Sequence, residues 1–181
     1  MRLYLRAFEI EDYKLLSKWR HDPEIGDLLC GNRYMVSSER ERKWVESKIF
    51  DDSKDIYFAI CLKENDQMIG YECIIKIDLR NRKAEWGGVT IGEKPLWGKG
   101  YASEAAKMLL HYAFYELPIY KLQGCCLPEH HVTQKMLLSL GFHRDGVLRS
   151  EVFRGGEFKD FFLYSLLRDE YLSIDSNRID E

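Results

Sequence analysis

The chain has 181 residues, of which 45% are hydrophobic and 31% charged, and 27 basic against 30 acidic residues give a formal net charge of −3. This length and composition are typical of one soluble globular domain and leave little room for two. The slight acidic excess argues against a dedicated nucleic-acid binder, because such proteins usually carry a basic surplus.

The chain also shows no sign of membrane insertion or of a metal site. No stretch approaches the roughly 20 apolar residues that a membrane helix needs, and the opening segment MRLYLRAFEIED has no apolar signal region. We therefore expect a cytoplasmic protein with no membrane partner. None of the five cysteines forms a CxxC pair, so we expect no metal and a reduced compartment. These cysteines are Cys30, Cys61, Cys73, Cys125 and Cys126.

The first half of the chain predicts two helices and an antiparallel meander. The first helix should end at His21-Asp22-Pro23, because the residue before a proline avoids the helical conformation. Ser38 followed by Glu41 forms a capping-box pattern, so the second helix should begin there. Polar turns separate the later strand candidates, as in a meander. The expected elements are a strand at 3–8, helices at 12–20 and about 39–50, and strands at Tyr57–Leu62, Met68–Asp78 and Lys83–Ile91.

The second half predicts a strand–helix–strand crossover and a closing hairpin. Apolar residues of SEAAKMLLHYAF fall on one helical face, Gly141 suits a helix C-cap, and Arg154-Gly155-Gly156-Glu157 suits a hairpin turn. A strand at Lys121–Leu127, a helix from about Val132, and strands at about Val147–Phe153 and Phe158–Leu167 should follow the long helix. The sum is a single α+β domain at 1–168 with a mixed, mostly antiparallel sheet. Residues 169–181 form a charged tail, frayed or briefly helical.

The segment LWGKGYASEA joins a predicted strand to the long helix and carries the chemical signal. Gly98 and Gly100 allow a tight turn whose N–H groups face one point, and the helix adds its positive N-terminal end. Such a cradle suits a pyrophosphate, although an ordinary tight turn is the alternative. The P-loop pattern and the third glycine of the dinucleotide fingerprint are both absent.

Taken together, these motifs and the order of elements resemble the GNAT N-acetyltransferase superfamily, most closely its RimJ/RimL-type branch. The resemblance covers most of the chain. It implies the GNAT fold, in which a mostly antiparallel twisted sheet is flanked by helices and two splayed parallel central strands form the CoA slot. It also implies transfer of acetyl from acetyl-CoA to a primary amine. The matching segments are LRAFEIEDY at 5–13, WRHDPE at 19–24, NRKAEWGGVTIG at 81–92, LWGKGYASEA at 96–105, LSLGF at 138–142 and GVLRSEVFRGGEFKDFFLYSLL at 146–167.

The resemblance assigns the donor-binding residues. Trp97 replaces the Gln or Arg that usually begins the family's pyrophosphate motif, a tolerable change because backbone N–H groups do the binding. The pantetheine arm should pair with the end of the first slot strand, where a backbone N–H would hold the thioester oxygen as an oxyanion. The residues implied for the cofactor are Val89, Thr90, Ile91, Trp97, Gly98, Lys99, Gly100, Tyr101, Ala102, Ser103, His130 and Thr133.

Three residues are candidates for catalysis. Glu85, on the strand that leads into the slot, could take a proton from the amine, although it could instead face solvent or pair with Arg82. His130 and Thr133 occupy the positions of the family's Asn-x-x-Ser. Thr133 keeps the hydroxyl, whereas His130 does not keep the amide; a surface histidine and a helix cap are the alternatives. Leu137 stands where polyamine enzymes often have tyrosine, which excludes a tyrosine acid and weakens a polyamine assignment.

The amine acceptor stays open at this point. Recognition should fall to the N-terminal helices and the late hairpin, with acidic side chains attracting the amine or simply forming a wet surface. The residues considered are Glu24, Asp27, Glu39 and Glu41, with Tyr34 and Trp44 as pocket or core residues. The acceptor is either a protein N-terminus or a small molecule such as an aminosugar nucleotide, a polyamine or an antibiotic.

The expected mechanism is direct attack in a ternary complex. A covalent route through Cys125 or Cys126 is the alternative, because both lie on the second slot strand. A rival of another class is a non-catalytic acyl-CoA-binding regulatory protein, which the departures at His130 and Leu137 would suit. We also expect a possible homodimer through the strand at 158–167.

Overall fold

In the computed structural model of the chain, residues 1–29 and 35–179 are described, the last four by their backbone alone. Cys30 and Tyr34, and residues 180–181 of the expected tail, lie outside the described residues. Within the described ranges, no helix combines the length and apolar character that crossing a membrane requires.

The described chain forms one seven-stranded sheet in the order β1-β2-β3-β4-β5-β7-β6. Neighbouring strands run antiparallel except for the parallel pair β4–β5, so the predicted GNAT fold is confirmed. The strands are β1 (Leu3–Ala7), β2 (Ile56–Leu62), β3 (Met68–Asp78), β4 (Lys83–Ile91), β5 (Lys121–Cys126), β6 (His143–Arg154) and β7 (Glu157–Leu167). The helices are α1 (Tyr13–His21), α2 (Pro23–Leu28), α3 (Ser38–Phe50), α4 (Tyr101–Tyr115), α5 (His131–Ser139) and α6 (Arg168–Ile179).

Helix α4 organises the main core. Its buried residues recur at helical spacing, so one face packs on the sheet while the other meets solvent. Ala106, Leu109 and Phe114 share a cluster with Trp86 of β4 and Leu122 of β5. A second cluster forms on α1 and α3 and includes Leu16, Trp19 and Val45. Helix α4 thus covers the sheet where its two central strands meet, whereas α1 and α3 pack on β2 and β3.

The central strands separate soon after they begin. The β4–β5 ladder contains three residue pairs, the last joining Glu85 to Gln123. On the other side of β4 the register shifts, because Gly87 and Gly88 together face one residue of β3. Gly88 has a φ of 95°, which the bulge requires and glycine adopts without strain. The bulge bends β4 away from β5 and opens the slot that the resemblance implies.

Two parts of the chain go further than the sequence-based expectation, and β6 begins at His143 instead of at about Val147. Asp22 ends α1 but also caps α2, since its side chain accepts hydrogen bonds from the backbone of Glu24 and Ile25. The expected tail contains α6, whose Tyr171 is buried and stacks on Phe114 with ring centroids 5.0 Å apart. The division of the chain at residue 168 stays a prediction.

Candidate active site

The loop at 97–102, hereafter the diphosphate loop, has the backbone shape that an anion cradle needs. Gly98 and Gly100 have φ values of 72° and 82°, which favour glycine. Gly100 caps α4, and the first helical hydrogen bond runs from the Glu104 N–H to the Gly100 carbonyl at 3.1 Å. The N–H groups of the first turn, at Tyr101, Ala102 and Ser103, therefore have no partner inside the helix. Unpaired N–H groups at the start of a helix can bind an anion.

Trp97 joins the diphosphate loop to the slot. Its indole Nε1 donates to the Ile91 carbonyl at 2.7 Å, and its ring packs on two hydrophobic clusters. The side chain is thus committed to the protein, and the backbone N–H of Trp97 is also engaged, since it donates to the Lys94 carbonyl at 3.0 Å. Lys99 is exposed beside the two glycines. Its predicted role toward the phosphates stays a prediction.

The end of β4 forms one wall of the slot. The side chains of Val89 and Ile91 pack on the side of the sheet that α4 covers. Thr90 points to the opposite side, where it hydrogen-bonds with Tyr71; burial raises the pKa of that phenol. Beyond Glu85 the described ladders pair β4 with β3 alone. Backbone groups at residues 89–91 thus remain available on the β5 side for an extended ligand, except the Ile91 carbonyl, which accepts from Trp97.

Glu85 lies at the closed end of the slot, on the same side of the sheet as Thr90. Its side chain is 36% exposed and forms an ion pair with Lys76 of β3 at 2.9 Å. The hydrogen bond that Lys76 donates to Glu85 raises the pKa of Lys76. Arg82, the partner considered from the sequence, instead donates to the Pro118 carbonyl. The pairing with Arg82 was wrong because antiparallel pairing with β3 brings Lys76 alongside.

His130 and Thr133 open α5 on the far side of the slot. His130 is the N-cap residue and Thr133 lies in the first turn. His130 is half-buried, and its ring donates to the backbone carbonyl of Asp27. Burial lowers the pKa of His130 and so favours the neutral imidazole. The structure thus brings His130 into contact with the segment at the end of α2.

That segment, residues 22–29 and hereafter the strap, spans from one half of the sheet to the other. On the β4 half, Lys94 binds Asp22 at 2.8 Å and Glu24 at 2.7 Å. On the β5 half, Arg154 donates to the Gly26 carbonyl at 2.7 Å and also to the carbonyl of Leu29. The strap therefore crosses the open end of the slot on the side away from α4.

Sequence reasoning did not find Arg154 as a functional candidate. It appeared only as the first residue of a predicted hairpin turn, and its partners lie more than 120 residues away in sequence. No local pattern signals a contact of that range. The candidate at Asp27 does lie at this junction, 3.5 Å from Arg154.

The other acidic candidates are paired or exposed. Glu41 is 1% exposed and bound to Arg20, so its charge is balanced inside the protein. Glu39 is exposed on α3. Trp44 packs edge-on against Tyr57 with centroids 5.0 Å apart. A cavity of about 10 Å³ remains beside them, and its lining includes Trp19, Arg20, Trp44, Tyr71 and Thr90.

Among the described residues, no group of three or more metal-binding side chains comes together. The donor set of the slot consists instead of backbone amides, hydroxyls and one carboxylate. That set is suited to holding an acyl thioester and to moving a proton.

Comparison with known proteins agrees with the geometry. Residues 2–143 match the family model described as an acetyltransferase (GNAT) domain. The uncharacterized N-acetyltransferase p20 of Bacillus licheniformis is 33% identical over 171 residues, covering 94% of this chain and 95% of the relative. Spermidine N(1)-acetyltransferase of Escherichia coli is 26% identical, covering 73% and 76%.

The fold also has close structural neighbours. The crystal structure of spermidine N-acetyltransferase from Vibrio cholerae in complex with CoA and spermine superposes with a TM-score of 0.85. The alignment covers 94% of this chain and 98% of that one at 24% identity, so this likeness concerns the fold alone. From the family match and the relative p20, we conclude that the chain is an N-acetyltransferase of the GNAT family.

Proposed function

We propose that the enzyme transfers acetyl from acetyl-CoA to the primary amine of a small molecule, by direct attack in a ternary complex. The observation that supports a small acceptor is the strap, which contacts both halves of the sheet across the end of the slot. A polypeptide N-terminus would need an open groove at this place. The relatives named for spermidine acetylation add support, since their acceptors are small amines.

Glu85 acts as the general base in this proposal. An amine with a pKa of about 10 arrives protonated and must lose a proton before it attacks. The carboxylate of Glu85 already holds an ammonium group, that of Lys76. The ammonium of the acceptor takes the place of Lys76, and its proton then passes to Glu85 directly or through water.

The slot walls support the reacting groups. A backbone N–H among residues 89–91 stabilises the negative charge that develops on the thioester oxygen. The hydroxyl of Thr133 donates a hydrogen bond to the departing thiolate, because Thr133 lies in the first turn of α5 at the other wall of the slot. His130 in its neutral form supports the strap through Asp27. Leu137 is 1% exposed and belongs to the core, so the tyrosine acid of some polyamine enzymes has no counterpart at this position.

Transfer proceeds without a covalent enzyme intermediate. Cys126 is fully buried in the core cluster. Cys125 faces the side of the sheet that carries Glu85 and acts electrostatically on Lys76. It is therefore the cysteine to test, and mass spectrometry after mixing with acetyl-CoA alone should find it unacetylated. The RimJ/RimL-type branch, a cytoplasmic location and a homodimer stay predictions from the sequence.

The decisive test is thiol release from acetyl-CoA with a panel of acceptors. The panel contains a polyamine, an aminosugar nucleotide, an aminoglycoside and N-terminal peptides of several sequences. At least one small amine should be turned over with a kcat/KM about a hundredfold above any peptide. A peptide that exceeded every small amine would overturn the proposed acceptor class. Calorimetric titration with CoA checks donor binding separately.

A further inference from the structure

The N-terminal end of β1 lies against the first turn of α4. The Arg2 side chain binds the Glu104 carboxylate, with Nε 2.9 Å from Oε2. The backbone N–H groups of Arg2 and Leu3 also donate to that carboxylate. Burial raises the pKa of Glu104, but these hydrogen bonds outweigh it and hold the pKa below its usual value. Glu104 is thus a fixed negative charge in the first turn of α4, two residues beyond the diphosphate loop.

Arg2 also contacts the diphosphate loop itself. Its Nη1 donates to the Lys99 carbonyl at 3.1 Å, and its guanidinium lies 4.0 Å from the centroid of the Tyr101 ring. Its Nη2 is 3.7 Å from the place that a Cβ on Gly100 would occupy. One side chain therefore holds the carbonyl of Lys99, the ring of Tyr101 and the carboxylate of Glu104 together.

This loop has a particular need for such a cation. Trp97 stands at the motif position where the family usually has Gln or Arg, and its indole N–H is used by the Ile91 carbonyl. An uncompensated carboxylate at Glu104 would repel a diphosphate bound at the start of α4. Arg2 balances that charge and keeps the Lys99 carbonyl engaged, so that the loop presents N–H groups and not carbonyl oxygens to the ligand.

We propose that Arg2 is a positioning residue for the acetyl donor, fixing the diphosphate loop from outside the loop's own sequence. This inference rests on acetyl-CoA being the donor. It assigns to Arg2 the diphosphate end of the donor and no part in the acetyl-transfer step. The two ends of the donor can therefore be tested separately.

The test compares acetyl-CoA with acetyl-pantetheine, a donor that ends before the diphosphate. Arg2→Ala should raise the KM for acetyl-CoA and the Kd for CoA about tenfold, as expected for loss of charge-assisted contacts. It should leave kcat, the acceptor KM and the kcat/KM for acetyl-pantetheine within twofold of the wild type. Arg2→Lys keeps the positive charge without the planar guanidinium, so its KM for acetyl-CoA should lie between those of the wild type and Arg2→Ala.

Arg6→Ala is the matched control, because Arg6 lies on the same strand and forms an ion pair with Asp12 at 2.7 Å. Any effect of Arg6→Ala should be equal for the two donors. Equal loss with both donors in Arg2→Ala and Arg2→Lys, or no change in either variant, would overturn the role of Arg2. A wild-type enzyme that binds no CoA and uses neither donor would instead refute the proposed function itself.

Discussion

A single buried carboxyl distinguishes the third strand of the sheet. Glu72 is 0% exposed, and neither of its oxygens has a hydrogen-bond partner within the described residues. It pairs across the sheet with Phe58 and Val89, and Phe58 contacts Tyr112 of α4. Burial in these apolar surroundings raises the pKa of Glu72 well above its usual value. The carboxyl therefore prefers the protonated form in the folded protein.

This preference predicts a stability that falls as pH rises. The folded protein binds the proton more tightly than the unfolded chain, whose glutamate pKa is about 4.3. The stability that protonated Glu72 contributes is therefore lost as the pH rises from about 4.3 through the folded-state pKa of Glu72. Glu72→Gln should stabilise the protein at pH 8 by about 2 kcal/mol and show little difference at pH 4, measured by urea unfolding. Glu39→Gln, at an exposed site, should match the wild type; a pH-independent effect of Glu72→Gln would contradict the argument.

Glu85 is the general base in the proposed mechanism. Its substitution separates donor binding from the acetyl-transfer step. Glu85→Gln should lower kcat/KM by about a hundredfold or more, because the amine then has no carboxylate to accept its proton. The Kd for CoA, measured by calorimetry, should stay unchanged. Glu151→Gln is the control, since Glu151 also acts electrostatically on Lys76, and it should cost less than threefold. Activity of Glu85→Gln within threefold of wild type would reduce Glu85 to an ion-pair partner.

At the scale of elements, the diphosphate loop depends on its backbone conformation. Gly100 caps α4 with a φ of 82°, where an alanine costs about 1 kcal/mol. Gly100→Ala should therefore destabilise the protein slightly and raise the KM for acetyl-CoA several-fold, because the N–H groups shift. Gly155→Ala has comparable strain in the β6–β7 turn, where φ is 62°. It should reduce stability without affecting that KM, and an equal effect on the KM would contradict the assignment.

The strap predicts an effect on the acceptor alone. Arg154→Met removes hydrogen bonds to the carbonyls of Gly26 and Leu29, so the strap loses its attachment to the β5 half. The acceptor KM should rise about tenfold, while the Kd for CoA stays within twofold. Arg149→Met, at an exposed position of β6, serves as the control. An unchanged acceptor KM, or a parallel change in both constants, would show that the strap does not border the acceptor.

Local pattern predicted the elements with strong periodicity and missed those set by distant contacts. The bounds of β3 and β4 follow from their apolar runs and polar turns, and α4 follows from its buried face. Helix α2 was missed because Asp22-Pro23 was interpreted only as a helix end, although the same pair begins the next helix. The partner of Glu85 could not be found in sequence, because the pairing of two strands decides it. The strap depends on contacts made only after the chain has folded.

At the scale of the whole molecule, the slot divides the sheet into two halves that share few strand contacts. The β4–β5 ladder ends at Glu85 and Gln123, so other elements must hold the halves together. Helix α4 packs on both central strands through the main core, and the strap connects them on the opposite side. Helix α6, which follows β7 in the β5 half, adds to the packing on α4, because its Tyr171 stacks on Phe114.

Removing residues 169–181 therefore tests whether the domain ends at residue 168. The truncation removes the buried side chain of Tyr171 from the core. It also removes Asp169, whose carboxylate accepts a hydrogen bond from the Tyr120 hydroxyl at 3.0 Å. It also removes Glu170, which accepts the Leu167 N–H at 2.8 Å. Loss of one large buried aromatic residue costs about 3 kcal/mol, so the urea midpoint should fall clearly. Removing residues 180–181 alone is the control; an unchanged midpoint for the longer truncation would show that the domain is complete at 168.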